Sequence, residues 1–201
     1  LSVDKNGFVN LDKLGELIRK DTILVSIMHV NNEIGTIQDL KAIGNLIKEK
    51  NSNTIFHVDA VASFGKLPMK ISEWKADLVS VSGHKIHAPK GVGALYIRDG
   101  LKLRSLVDGG SQEFGMRAGT ENSIGIVGFG EACKIINEDG LEMGLEHTKK
   151  LYNYLKERVL SEIKDSCING TELLDNETYT SSPFLINLGF KEGLSLMLIN
   201  I

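Results

Sequence analysis

Thr22-Ile23-Leu24-Val25-Ser26-Ile27-Met28-His29-Val30, followed by the polar Asn31-Asn32-Glu33-Ile34-Gly35, is the most informative stretch of the chain. The run from Thr22 to Val30 is apolar, with the length and composition of a strand. Beyond the polar segment, Leu40, Ile43, Leu46 and Ile47 recur at helical spacing, and Thr54 to Val58 form a second strand-like run. Strand, helix and strand make a βαβ unit, which implies a right-handed crossover between parallel strands. Upstream, Leu11, Leu14, Leu17 and Ile18 predict a helix. Downstream, Leu78 to Val81 and Gly93 to Ile97 predict a third and a fourth strand, with no Pro/Ser-rich linker between them. The expected class is α/β, a mostly parallel sheet flanked by helices.

From Ser123 the pattern becomes helical. Ile126, Val127 and Cys133 lie on one stretch, and Leu141, Leu145, Thr148, Leu151, Leu155 and Val159 step along a long amphipathic helix. Near Cys167 the sequence turns to short loops, Asn169-Gly170 and Asp175-Asn176, then to a strand at Phe184 to Leu188. The apolar segment Leu194-Ser195-Leu196-Met197-Leu198-Ile199 reads as the start of a helix that needs more chain to cover it. The expected organisation is one large-domain part over residues 1–138, a connecting helix over 139–165, and the opening of a smaller α+β domain over 166–201.

The chain has 201 residues, 42% of them hydrophobic, enough for one substantial core. Its net charge of -3 comes with scattered basic residues, which argues against a nucleic-acid partner. The apolar runs are of strand length, well short of the roughly 20 residues of a membrane-spanning helix. Cys133 and Cys167 are too far apart for a CxxC motif, so neither a metal site nor a disulfide scaffold is expected, and a reducing cytoplasm fits best. Each thiol reads as an inert packing residue.

In parallel α/β sheets, ligands bind beyond the carboxyl ends of the strands. Here the first strand leads into Asn31-Asn32-Glu33, the second ends on Asp59, and the third runs into Ser82-Gly83-His84-Lys85. An amine, a carboxylate and a small polar turn suit pyridoxal phosphate. That cofactor needs a lysine to hold its aldehyde carbon, a carboxylate to keep the pyridine nitrogen protonated, and a phosphate cup. Ser82 and Gly83 are expected to leave backbone N–H groups free for the phosphate. Taken alone, Ser-Gly-His-Lys reads equally well as a turn with a surface lysine and a packed histidine.

The motifs His29-Val30-Asn31-Asn32-Glu33-Ile34-Gly35, His57-Val58-Asp59-Ala60, Ser82-Gly83-His84-Lys85, Pro89-Lys90-Gly91-Val92-Gly93-Ala94-Leu95-Tyr96 and Arg117-Ala118-Gly119-Thr120-Glu121-Asn122 resemble, in order and spacing, group I cysteine desulfurases. These belong to the class V aminotransferases among fold-type I pyridoxal-phosphate enzymes. The resemblance covers essentially the whole chain but corresponds to about the middle half of a family member. It implies the large domain of that fold, pyridoxal 5'-phosphate as cofactor, and removal of sulfur from L-cysteine to give L-alanine and a protein persulfide. It also implies a homodimer that passes sulfur to acceptor proteins such as an iron-sulfur scaffold, or toward tRNA thiolation. By the same resemblance Lys85 is the Schiff-base lysine, Asp59 the partner of the pyridinium nitrogen, and Ser82 and His84 phosphate ligands. Asn32 matches the residue that places the substrate carboxylate and the cofactor hydroxyl, and Thr120 the one that reaches the neighbouring subunit's phosphate.

The chain departs from the family pattern in several places. Ala62 stands where a glutamine usually touches the cofactor's phenolic oxygen, and Ser111 and Phe114 replace a glycine and an arginine in the loop before Thr120. The family's N-terminal phosphate-binding threonine and ring-stacking histidine have no counterpart here. Its persulfide cysteine and carboxylate-gripping arginine are expected beyond Ile201, and neither Cys133 nor Cys167 matches the nucleophile. A related class V aminotransferase or selenocysteine lyase shares the lysine and aspartate. A non-catalytic fragment that keeps the fold is the other alternative.

Overall fold

Asp39 begins the helix that joins the first two strands, its carboxylate accepting a 2.9 Å hydrogen bond from the Ala42 N–H. The computed structural model describes residues 1–139, 141–172, 180–191 and 197–200. Helix α1 (Leu11–Leu17) precedes strand β1 (Leu24–Met28), helix α2 (Leu40–Lys50) and strand β2 (Ile55–Asp59). A short helix α3 (Ile71–Trp74), strand β3 (Leu78–Ser82), a 3-10 turn over Gly83–Ile86 and strand β4 (Gly93–Ile97) follow. Helices α4 (Ser123–Asp139) and α5 (Leu141–Glu162) lead to strands β5 (Ser166–Ile168), β6 (Leu185–Phe190) and β7 (Met197–Asn200).

The first sheet has the order β1-β2-β3-β4, with the first three strands parallel and β4 antiparallel to β3. One face of it is apolar. Phe56 and Val58 of β2 are completely buried, together with Val79 of β3, beneath Leu40, Ile43 and Ile47 of α2 and Trp74 of α3. Each such side chain contributes roughly 1.5–3 kcal/mol of burial, so this layer anchors the sheet. Because side chains alternate along a strand, Ser26, His57, Asp59, Ser80 and Ser82 share the opposite, polar face.

The second sheet, β5-β6-β7, is antiparallel and three-stranded. Helix α5 lies against it through Tyr152, which is 1% exposed, with Leu155 and Val159 alongside. The stripe on α5 is therefore Leu145, Thr148 and Tyr152, whereas the expected Leu151 is 41% exposed. The loop after β1 ties the two sheets together: Ser182 N–H donates to Gly35 O at 2.8 Å, Ile37 N–H to Thr180 O at 3.0 Å, and Asn187 Nδ2 to Glu33 O at 3.1 Å.

The expected helix start near the end of the chain is corrected. Met197–Asn200 is a strand that pairs antiparallel with Leu185–Leu188, while Leu194 to Leu196 lie outside the described residues. A short apolar run carries no period that separates helix from strand, and the free edge of β6 settled it. Cys167, expected as a packing residue, is exposed on β5. Gly170 takes φ +87° in the expected Asn169-Gly170 turn, and Asp175-Asn176 lies outside the described residues.

Candidate active site

The carboxyl ends of β1, β2 and β3 converge as parallel neighbours, and the polar loops follow from there. After β1, Asn31 and Asn32 have different tasks. Asn31 is structural, its side-chain oxygen accepting from the N–H groups of Glu33 (2.9 Å) and Ile34 (3.0 Å). Asn32 is exposed, and among the described residues no hydrogen bond engages its amide. It lines a cavity of about 30 Å³ together with Ala62, Lys66, Lys85, Ser182 and Phe184.

Asp59 closes β2, half-buried on the polar face, with one carboxylate oxygen accepting from the Val61 N–H at 3.0 Å. On the same face, His57 bridges two strands: its Nδ1 lies 2.7 Å from Ser26 Oγ and its Nε2 2.8 Å from Ser80 Oγ. Burial pulls the His57 imidazole below its ordinary pKa, against the opposing pull of the Asp59 charge.

Lys85 is the third residue of the 3-10 turn that follows β3 and is exposed. At the head of the turn, Ser82 Oγ and His84 Nδ1 are 2.7 Å apart, so hydroxyl and imidazole present a joint polar surface. The expectation of a free Gly83 N–H is corrected. It donates to Val92 O at 3.0 Å, because β4 returns antiparallel and extends the ladder into the turn. Gly83 is small for a packing reason: a Cβ there would stand 3.0 Å from Val92 Cγ1 and 3.1 Å from the Ala88 Cβ.

Lys66 was not singled out from the sequence. It is half-buried, its ammonium lies 5.5 Å from the Phe184 ring centroid, and among the described residues no carboxylate pairs with it. Burial, then the neighbouring Lys85 charge, holds its pKa below the usual lysine value. The only signal for it was a Gly-Lys pair in the turn beyond Asp59. Ser182 and Phe184 were also missed, since they reach the cavity only through packing of the second sheet.

Among the expected site residues, Asn32 and Lys85 are brought to one cavity. Asp59 and Ser82 share the adjacent polar face, with His84 bonded to Ser82. Thr120 is exposed on the loop before α4 and lines no part of that cavity. His29 is buried against Trp74 and bonded to Ser63, a packing role. Cys133 packs beside Ile86 and Ala132, and burial raises its thiol pKa, which disfavours the reactive thiolate. Among the described residues no group of three metal-ligating side chains stands together, and no helix is long and apolar enough to cross a membrane.

The arrangement suits pyridoxal phosphate. Lys85 provides an exposed amine, Asp59 a carboxylate with acceptor capacity left over, and Ser82 with His84 a polar pair for the phosphate. The Gly83 N–H, being engaged by Val92 O, is not among the groups available to a phosphate here.

A family model described as aminotransferase class-V matches residues 1–191. The chain is 45% identical to the cysteine desulfurase IscS of Mannheimia succiniciproducens over 203 aligned residues, 98% of this chain and 48% of that protein. A solved NifS-like protein superposes with a TM-score of 0.85 at 40% identity, covering 94% of this chain and 49% of the other. SspA, solved in complex with cysteine, superposes with a TM-score of 0.76 at 33% identity, covering 95% of this chain and 50% of the other. The chain thus spans about half the length of the relatives it matches.

Proposed function

The chain belongs to the aminotransferase class-V family, and on that premise we propose that it forms the cofactor-holding part of a cysteine desulfurase using pyridoxal phosphate on Lys85. The observation that carries this reading is the convergence of Lys85 and Asn32 on one cavity, with Asp59 at the end of the adjoining strand. When bound, the cofactor supplies an electron sink that lets the carbon–sulfur bond of L-cysteine break.

The residues of this chain divide the remaining work. Lys85 anchors the cofactor through its amine and, once released, moves the proton at the substrate carbon. Asp59 keeps the ring nitrogen protonated, Asn32 orients the substrate carboxylate, and Ser82 and His84 hold the phosphate. The sulfur passes to a cysteine thiol beyond this chain, so cysteine and thiol become alanine and a persulfide. From there it goes to acceptor proteins of iron-sulfur assembly or tRNA thiolation. Similarity to a protein solved with bound cysteine supports that substrate.

A homodimer follows from the role proposed for Thr120. In support, Leu106, Phe114, Ile124 and Val127, which flank it in sequence, are 95%, 96%, 84% and 72% exposed, apolar side chains that a second subunit would cover. Residues 1–138 would form the cofactor-binding part, joined through 139–165 to a smaller part from 166 onward, and the cytoplasm is the compartment this reading assigns.

The test is peptide mapping of the full-length protein after incubation with pyridoxal phosphate and borohydride. A reduced adduct on Lys85, together with equal yields of alanine and sulfide from L-cysteine under reducing conditions, is the expected result. An adduct elsewhere, or none, would overturn the assignment.

A further inference from the structure

The turn after β2 and the turn after β3 are locked together. Gly65 has φ +70°, and a Cβ there would stand 2.6 Å from Ile86 Cγ2 and 2.8 Å from Ile136 Cδ1. The residues next to this contact are Lys66 and Lys85, and both line the same small cavity. Two ammonium groups in one partly buried cavity repel, and among the described residues no carboxylate pairs with either. Such a pair is favourable when an anion sits between them. Ala62, on the same cavity wall, presents no polar group to it.

We propose that Lys66 is a second cationic residue of the cofactor site, and that it holds the phenolate oxygen of the pyridoxal ring through its ammonium group. The inference rests on the proposed cofactor reading. In the free cofactor the phenolic oxygen and the phosphate arm are on the two ring carbons flanking the one that bears the aldehyde; with Ser82 and His84 assigned to the phosphate, the cavity shared by Lys66 and Lys85 is left for the phenolic oxygen. Phe184 supports the arrangement: its ring takes up part of the lysine charge without neutralising it, as a carboxylate would. Lys66 thereby supplies the contact to the phenolic oxygen that Ala62 cannot make.

A cation at the phenolate disfavours a proton on the adjacent nitrogen of Lys85. In the full-length protein loaded with pyridoxal phosphate, Lys66→Met should therefore move the visible-absorption titration to higher pH, by about one unit or a tenfold change in proton affinity. Lys66→Arg should restore the original midpoint, and adding Ala62→Gln to Lys66→Met should recover part of the shift. A second measurement needs no variant: labelling with acetic anhydride, mapped by mass. Modification of Lys66 should fall severalfold when the cofactor binds, while the exposed Lys150 is labelled equally with and without it. An unmoved titration with the Lys85 adduct intact, or equal labelling of Lys66 in both states, would overturn the role of Lys66 and leave the cofactor reading standing. Absence of any Lys85 adduct in the unmodified protein would overturn both.

Discussion

Gly65 and Ile86 meet so closely that a single added carbon on Gly65 would stand 2.6 Å from Cγ2 of Ile86. Gly65 also has a positive φ of 70°, which an L side chain adopts at a cost. Gly65→Ala should therefore destabilise the protein by about 2 kcal/mol, the sum of backbone strain and overpacking. It should also separate the two turns that carry Lys66 and Lys85. Urea unfolding would measure the first effect, and the yield of borohydride-reduced adduct on Lys85 the second. A stable variant with undiminished adduct would show that the contact does not position the lysines.

Asp59 ends β2 on the polar face and spends one oxygen on the Val61 N–H. Its proposed task is electrostatic, so Asp59→Ala should leave the reducible adduct on Lys85 in place while lowering turnover of L-cysteine by about a hundredfold or more. Adduct mapping and alanine release, measured on the same full-length preparation, separate attachment from chemistry. Loss of the adduct would instead give Asp59 a role in holding the site together.

Asp77 is almost fully buried at the head of β3, with Lys48 Nζ at 2.5 Å, Arg98 Nε at 2.6 Å and the Phe56 N–H at 2.8 Å. Burial pushes its carboxyl pKa up, but the hydrogen bonds from Lys48, Phe56 and Arg98 together outweigh it and hold the pKa below the ordinary value. Asp77→Ala would leave the Lys48 ammonium with its bond to Thr54 O but no counter-charge, and the Phe56 N–H without a partner, at a cost of about 3 kcal/mol in urea titrations. Near-neutral behaviour would mean that water reaches both groups.

Gly44, in the middle of α2, reverses the usual rule for helical glycine. Replacement by alanine ordinarily gains up to about 1 kcal/mol of helix propensity. Here the added Cβ would lie 1.8 Å from the Trp74 carbonyl oxygen, so α2 would have to lift from α3. Gly44→Ala should lower the melting temperature, and a rise would show that the two helices separate without cost.

The first sheet was legible because its two central strands present a buried side: Phe56 and Val58 on β2 and Val79 on β3 stand out against polar alternates. Gly93–Ile97 matched its expected bounds, and the site loops followed from where those strands end. The three-residue β5 and the four-residue β7 were not legible, since so few residues carry no period and their identity depends on pairing with β6. Lys66 was overlooked for a related reason. Its neighbours Lys85, Ser182 and Phe184 come from distant parts of the chain, and only packing of the second sheet on the Gly35 loop assembles them. The engaged Gly83 N–H likewise became visible only with the antiparallel return of β4.

His29 gives the fold a pH dependence separate from that of the carboxylates. Its ring is 6% exposed, bonded through Nδ1 to Ser63 Oγ at 2.9 Å and set against Trp74 with centroids 4.7 Å apart. Burial lowers its pKa from 6.5 to about 4. Between those values the unfolded chain binds the proton and the folded one does not, so stability rises with pH across the window. It should be fully present above pH 6.5 and fall, by up to about 3 kcal/mol, as the pH drops toward 4. Urea titrations at pH 7, 5.5 and 4.5 should trace this loss, and His29→Gln, which carries no titrating group, should flatten it. An unchanged slope in His29→Gln would assign the loss to another group and show that the His29 ring takes up its proton without leaving its pocket.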